Sequence, residues 1–256
     1  MKEIIRHLPT KGVVLRYTNF NEADRMLTLF SPELGKISVL ARGCRKAKSR
    51  FLAATELFCY GEYTLYRRGD FHIMTQANIL DSFYEIRNDM DKLLYASYVI
   101  NLTEEVVSPG QGDIHLFYLL LQTLSYFCYS DLEPELITHV FEIKLLDHIG
   151  YRPVLDKCIA CGSNKGPYHF DIREGGLVCA NCYNTNIIGN NIQMGTIKTI
   201  EYVLDMDMNR INVLKIPSSI KEELDTILKA YIEERIDKKL KSRKFIDDFK
   251  GKNRKR

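Results

Sequence analysis

Two Cys-x-x-Cys pairs, Cys158-Ile159-Ala160-Cys161 and Cys179-Ala180-Asn181-Cys182, lie seventeen residues apart and constrain this chain more than any other feature. Two residues between thiols let one tight turn aim both sulfurs at a single ion, and the longer loop brings the second pair round to complete a tetrahedron with bonds of about 2.3 Å. Gly162, directly after the second cysteine, suits that turn. Four protein ligands leave no open position for water, so one structural Zn2+ is expected, held by Cys158, Cys161, Cys179 and Cys182. A thioredoxin-type centre needs one pair in a βαβ setting, and the spacing differs from the common ferredoxin runs. His169, inside the loop, reads as a surface histidine and only as a weak alternative ligand.

Seven cysteines is an odd number, which argues for reduced thiols rather than a disulfide framework. The N-terminal residues carry scattered charge without the apolar stretch and cleavage site of an export signal. No apolar run approaches the roughly 18 residues that a membrane span needs. A cytoplasmic protein with no membrane partner is expected. With 256 residues, 45% of them hydrophobic, the chain is long enough for a sizeable core or for several small ones.

Hydrophobic periodicity changes along the chain. Residues 12–17, 25–30, 36–40, 57–66 and 71–74 are short runs rich in β-branched and aromatic residues, separated by turn chemistry. Five strands in under 80 residues predict a small barrel of the oligonucleotide-binding (OB) type, although an SH3-like barrel would give much the same pattern. After Asp81 the period lengthens toward 3.6, with helices expected over 91–107, 113–129 and 134–149, then 195–206. Ser219 and Glu222 form a capping-box signature opening a further helix over 220–235. Phe117, Tyr118, Tyr126, Phe127 and Phe141 read as bundle core, and Cys128 as a small buried hydrophobe. The fold class expected is α+β and multi-domain: an OB-fold β-barrel, an α-helical bundle and an inserted four-cysteine zinc module.

The near-neutral total of +3 conceals a polarity. Residues 1–80 carry 13 Lys and Arg against 7 Asp and Glu, residues 81–157 carry 5 against 13, and the remainder 18 against 13. The sharpest excess is Arg42, Arg45, Lys46, Lys48 and Arg50, five cations in nine positions with no acid among them. A second run, from Arg235 onward, holds 11 Lys and Arg against Asp237, Asp247 and Asp248. Cations this dense repel one another unless a polyanion answers them. From a segment joining two strands they can track phosphates without reading bases. Tyr17, Phe20, Phe51, Tyr60, Tyr63 and Tyr66 could stack on bases, with at least half of them needed to fill the barrel.

The chain contains no Gly-x-Gly-x-x-Gly, P-loop, His-Glu-x-x-His or Gly-x-Ser-x-Gly motif. Asp205 and Asp207 sit at i and i+2 of a helical stretch, where two carboxylates face different ways. They read as surface acids, as do Glu104-Glu105 and Asp247-Asp248. No catalytic residue is expected.

A basic barrel, a helical region and a four-cysteine insert, in that order, resemble the bacterial RecO family of DNA repair and homologous recombination mediators. The residues that carry the likeness are Gly12-Val13-Val14-Leu15, Asn21 to Arg25 with Leu29-Phe30, Gly35-Lys36, and Ala41-Arg42-Gly43 leading to Lys48-Ser49-Arg50. Leu145 to Pro153 running into Cys158, and Leu240 to Phe245 near the end, extend it over almost the whole chain. The resemblance implies a non-enzymatic protein that binds single- and double-stranded DNA and anneals complementary strands. It also implies partnership with RecR and SSB, assisting RecA loading on SSB-coated DNA at the nucleoid. The nucleic-acid contacts expected are Lys36, Arg42, Arg45, Lys46, Lys48 and Arg50, with Lys241, Arg243 and Lys244 ranked second. If SSB docks through its acidic tail, Lys144 or Arg152 is the cation expected beside an apolar groove. The rival is a zinc-containing nuclease or modifying enzyme. The domains expected are 1–80 (barrel), 81–154 and 188–250 (the two parts of the helical domain), 155–187 (zinc module) and 251–256 (basic tail).

Overall fold

The computed structural model describes residues 7–253 apart from 185, 186 and 188. The N-terminal segment read for export, part of the 155–187 module and the last three residues of the basic tail lie outside the described residues. The chain forms two compact units, Met1–Ser130 and Asp131–Arg256.

The first unit opens with five strands: β1 (His7–Phe20), β2 (Asp24–Ser31), β3 (Gly35–Ala41), β4 (Tyr60–Arg68) and β5 (Phe71–Asp81). They close into a barrel of order β1-β2-β3-β5-β4. β1 pairs antiparallel with both β2 and β4, while β3 runs parallel to β5, with Val39 opposite His72. This is the OB-like arrangement. Alternation along β2 and β3 turns Leu27, Leu29, Ile37 and Val39 inward to meet Val14, Tyr63, Leu65 and Met74 in one core. The fourth strand begins at Tyr60 rather than at 57: Phe58 adopts φ +71°, which interrupts the regular extended backbone, although its N–H still donates to the Val14 carbonyl and the Cys59 carbonyl accepts the Val14 N–H, each at 3.0 Å.

Helices α1 (Tyr84–Asn88), α2 (Met90–Val106) and α3 (Ile114–Tyr129) complete this unit. The carboxylates of Asp89 and Asp113 cap α2 and α3 by accepting the N–H groups of Lys92 and Leu116. Phe117 of α3 meets Phe30 of β2 edge to face at 5.4 Å, so these helices bury their apolar faces with the barrel. Helices α1, α2 and α3, which fall within the 81–154 part expected for the helical domain, lie in the same unit as the barrel. Gly35 has φ +64°, and a Cβ there would lie 2.3 Å from the Gln111 carbonyl oxygen, so only glycine lets β3 start so close to the α2–α3 loop. Phe117, Phe127 and Cys128 are buried as expected; Tyr118 is exposed, its ring edge to face with that of Phe117 at 6.1 Å, which corrects its assignment to the core.

The second unit contains α4 (Pro134–His148), a sheet of order β6-β8-β7-β9, and helices α5 (Met194–Asp205), α6 (Ser218–Ile236) and α7 (Lys241–Asn253). The strands are β6 (Val154–Cys158), β7 (Tyr168–Asp171), β8 (Gly176–Cys179) and β9 (Gly189–Ile192). Phe141 of α4 is fully buried. The capping box expected at Ser219 and Glu222 does not form. The helix starts two residues earlier, at Ser218 after Pro217, whose carbonyl accepts the N–H groups of Ile220 and Lys221 without any side-chain cap.

Candidate metal centre and nucleic-acid interface

The β6 strand ends on Cys158, and β8 ends on Cys179, so neighbouring strands deliver one thiol from each pair to the same end of the sheet. The turns that follow supply the others. Gly162, at φ +73°, donates its N–H to the Cys158 carbonyl at 2.8 Å, and Cys182 donates to the Cys179 carbonyl at 3.0 Å. One sulfur from each of the four cysteines lies within 4.8 Å of the rest, and Cys161 Sγ stands 3.7 Å from Cys179 Sγ. A tetrahedron with metal–sulfur bonds of about 2.3 Å has edges of about 3.8 Å, so the four sulfurs can hold one metal ion. None of these cysteines is joined in a disulfide.

Burial pushes the Cys158 thiol up, but the backbone N–H groups of Cys179, Cys161 and Ala160 outweigh it and bring the group down to about 6. Cys182 moves to about 12 because Cys161 and Cys179 hydrogen-bond its protonated form. Four thiolates crowded in this way would repel one another, and a bound cation would relieve that repulsion. His169 stays out of the cluster. Its ring stacks on Tyr183 at 3.7 Å, consistent with the surface reading.

The basic segment 42–50 lies between β3 and β4 and is held by the β1–β2 turn. Asp24 Oδ1 accepts the Gly43 N–H at 2.7 Å, and the Arg45 N–H donates to the Ala23 carbonyl at 2.9 Å. Arg45 also donates its guanidinium to the carbonyls of Asn21 and Glu22, and Arg50 donates to that of Thr75 while covering the Phe51 ring. Arg25 fixes the far end of the loop. Its guanidinium lies 4.0 Å from the Tyr17 ring centroid and donates to Thr55 and to Glu56, the latter at 2.9 Å. Arg42, Lys46 and Lys48 are exposed, and their side chains make no hydrogen bond or ion pair with the described residues. The loop is therefore braced at its backbone and free at these three cations. Asp24 and Arg25 carry no charge excess of their own, so the pattern that picked out 42–50 passes over them.

Lys36 lies at the opposite end of β3, where its ammonium donates to the Glu104 carbonyl. Among the candidate stacking rings, Tyr63 is buried in the barrel and donates its hydroxyl to the Ala54 carbonyl, whereas Phe20 is exposed.

On α7, Lys241 and Lys244 are exposed and Arg243 is not. Arg243 is only 2% exposed and faces Asp225 at 2.7 Å, Glu142 at 3.5 Å and Asp247 at 3.6 Å. Its assignment to the phosphate-binding set is therefore corrected: a buried guanidinium spent on carboxylates of its own chain has no face for DNA. Asp247, read as a free surface acid, also pairs with Lys229 at 2.6 Å. Glu135, His139 and Asp225 bring possible ligand atoms together in this region, but Lys250 contacts both carboxylates and Arg243 contacts Asp225, so cations of the chain answer these acids. Lys144 donates to the carbonyls of Leu204 and Met206 at the end of α5, and Arg152 pairs with Asp147 and Asp205. Both cations suggested for a docking groove are engaged within the unit. Asp205 and Asp207 are exposed, as expected.

Two family models cover nearly all of this architecture: "Recombination protein O N terminal" matches residues 5–83, the barrel, and "Recombination protein O C terminal" matches residues 87–244. The chain belongs to the RecO family. Among its curated relatives, the DNA repair protein RecO of Acetivibrio thermocellus is 33% identical over 243 residues, covering 94% of this chain and 97% of the relative. RecO of Alkaliphilus metalliredigens is 34% identical over 232 residues, covering 90% and 94%, and RecO of Halalkalibacterium halodurans is 33% identical over 241 residues, covering 94% of each. RecO membership makes this a DNA repair family protein. Among the described residues, no helix is long and apolar enough to cross a membrane.

Proposed function

We propose that this chain is a recombination mediator that works without making or breaking bonds. It binds single- and double-stranded DNA, anneals complementary strands and, together with RecR, assists RecA loading on SSB-coated DNA in the bacterial cytoplasm. The observation that carries this reading, beside family membership, is the braced loop with Arg42, Lys46 and Lys48 exposed and unpaired among the described residues. Annealing requires two polyanions to be held close together, and cations fixed at the backbone but free at their tips lower that repulsion while leaving base edges open to pair. The ion assigned to the four cysteines is one structural zinc, since four thiolate donors suit zinc and leave no open catalytic position.

The test mixes labelled complementary oligonucleotides with the protein, with and without SSB, in magnesium or manganese. Accelerated duplex formation with intact strands supports the reading. Cleaved or modified strands would favour a nucleic-acid-processing enzyme, and absence of any binding at low salt would overturn both.

A further inference from the structure

An open groove of about 630 Å³ in the first unit is lined by β1, β4, β5, the β2–β3 turn and α3. Pro9, Pro32, Ile114 and Tyr118 give it apolar walls, and Ile114 and Tyr118, one turn apart on α3, are 52% and 57% exposed. Its charged residues are Glu33, Glu62 and Lys11, all exposed. Asn78 donates to Glu62 at 3.3 Å, and Thr10 and Ser31 donate to one oxygen of Glu33, but no cation among the described residues pairs with either acid. Two carboxylates against one ammonium repel a phosphate backbone, so the groove suits a protein segment rather than a nucleic-acid strand.

The second unit carries a helix face of matching chemistry. Arg243 and Ile246 are buried and anchor α7 inward, which turns Lys241, Lys244, Phe245 and Asp248 outward at i, i+3, i+4 and i+7. Phe245 is 62% exposed, and neither lysine pairs with an acid among the described residues. The outward face offers one large ring, two cations and one acid; the groove offers apolar walls, two acids and one cation. We propose that α7 of a second copy of this chain docks in the groove, with Phe245 against Ile114 and Tyr118, the lysines facing Glu33 and Glu62, and Asp248 facing Lys11. Apolar anchors one turn apart and flanking charges of opposite sign are what a helix lying in a groove requires. The contact is heterologous, since groove and helix are different surfaces. Two copies joined in this way bring two basic loops into one assembly, one for each DNA strand; that consequence alone rests on the annealing proposed above.

Sedimentation velocity on the full chain, freed of nucleic acid, tests this at concentrations from about 1 to about 200 µM. The weight-average mass is expected to rise above the 29.7 kDa of one chain, and to rise less at high salt, which screens the flanking charges. Phe245→Ala and Glu62→Lys alter exposed side chains, and each is expected to weaken association about tenfold with the melting temperature unchanged. Mixing the two variants is expected to restore association, because the intact groove of Phe245→Ala receives the intact α7 of Glu62→Lys. A mass that stays at one chain throughout, association indifferent to both substitutions, or a mixture that associates no better than its separate variants overturns the inference. No DNA enters these measurements, so a chain that associates in this way yet fails to anneal strands upholds the contact and overturns only the functional reading above.

Discussion

The carboxylate of Asp24, at the start of β2, accepts the backbone N–H of Gly43 at 2.7 Å and so ties the β1–β2 turn to the basic segment between β3 and β4. An acid is thereby used to hold a loop of cations in shape. Its negative charge sits at the backbone of the loop, while Arg42, Lys46 and Lys48 extend into solvent.

Asp24→Ala removes that acceptor. The expected cost is about 1 kcal/mol of stability. More diagnostic is the loop itself, in which trypsin should cleave after Arg45, Lys46 or Lys48 faster than in the unaltered chain. Equal cleavage rates, measured by mass spectrometry over a time course, would show that the loop is held by other bonds.

Reversing Arg42, Lys46 and Lys48 to Glu together should weaken binding to single-stranded DNA and reduce its dependence on salt. Three lost phosphate contacts lower the slope of log K against log salt by about 2. These side chains are exposed, so far-UV circular dichroism should be unchanged. An unaltered slope would move the main contact away from this loop.

Purified protein from zinc-replete cells should contain about one zinc per chain by elemental analysis. Cys161→Ala should lose the ion and lower the melting temperature, because binding energy at such a site is also folding energy. Chelation of the unaltered protein should reproduce the loss of stability. The barrel, folded around its own core in the other unit, should keep its circular dichroism signature.

Burial pushes the Asp225 carboxyl up, but His139, Arg243 and Lys250 overcome it and hold the group well below its ordinary value of 3.8. A depressed folded-state pKa stabilises the protein above the unfolded pKa, and that contribution disappears as pH falls. The melting temperature of the second unit should therefore drop below about pH 4, and Asp225→Asn should flatten that dependence. Arg243→Ala leaves Glu142 buried with its nearby guanidinium removed and should cost about 3–5 kcal/mol, whereas Lys244→Ala, at an exposed position, should stay within about 0.5 kcal/mol. Comparable effects for the two would mean that Arg243 is not held as an internal ion partner.

Local chemistry alone determined much of this protein. The spacing of Cys158, Cys161, Cys179 and Cys182 identifies a four-sulfur site because two-residue turns leave thiols few other geometries. The alternation through Leu27, Leu29, Ile37 and Val39 identifies strands because a pleated chain must send alternate residues to opposite faces. Charge density likewise marks 42–50 as exposed, since acids are absent within the segment. What sequence spacing does not carry is which charges meet across long stretches of chain. Lys241, Arg243 and Lys244 look alike in a row, yet one turns of α7 buries the middle residue against Asp225, Glu142 and Asp247 from distant or later positions. Asp24 reaching Gly43 and Glu104 reaching Arg16 are decided in the same way. Only the tertiary fold brings these groups within the few ångströms over which a hydrogen bond or an ion pair acts.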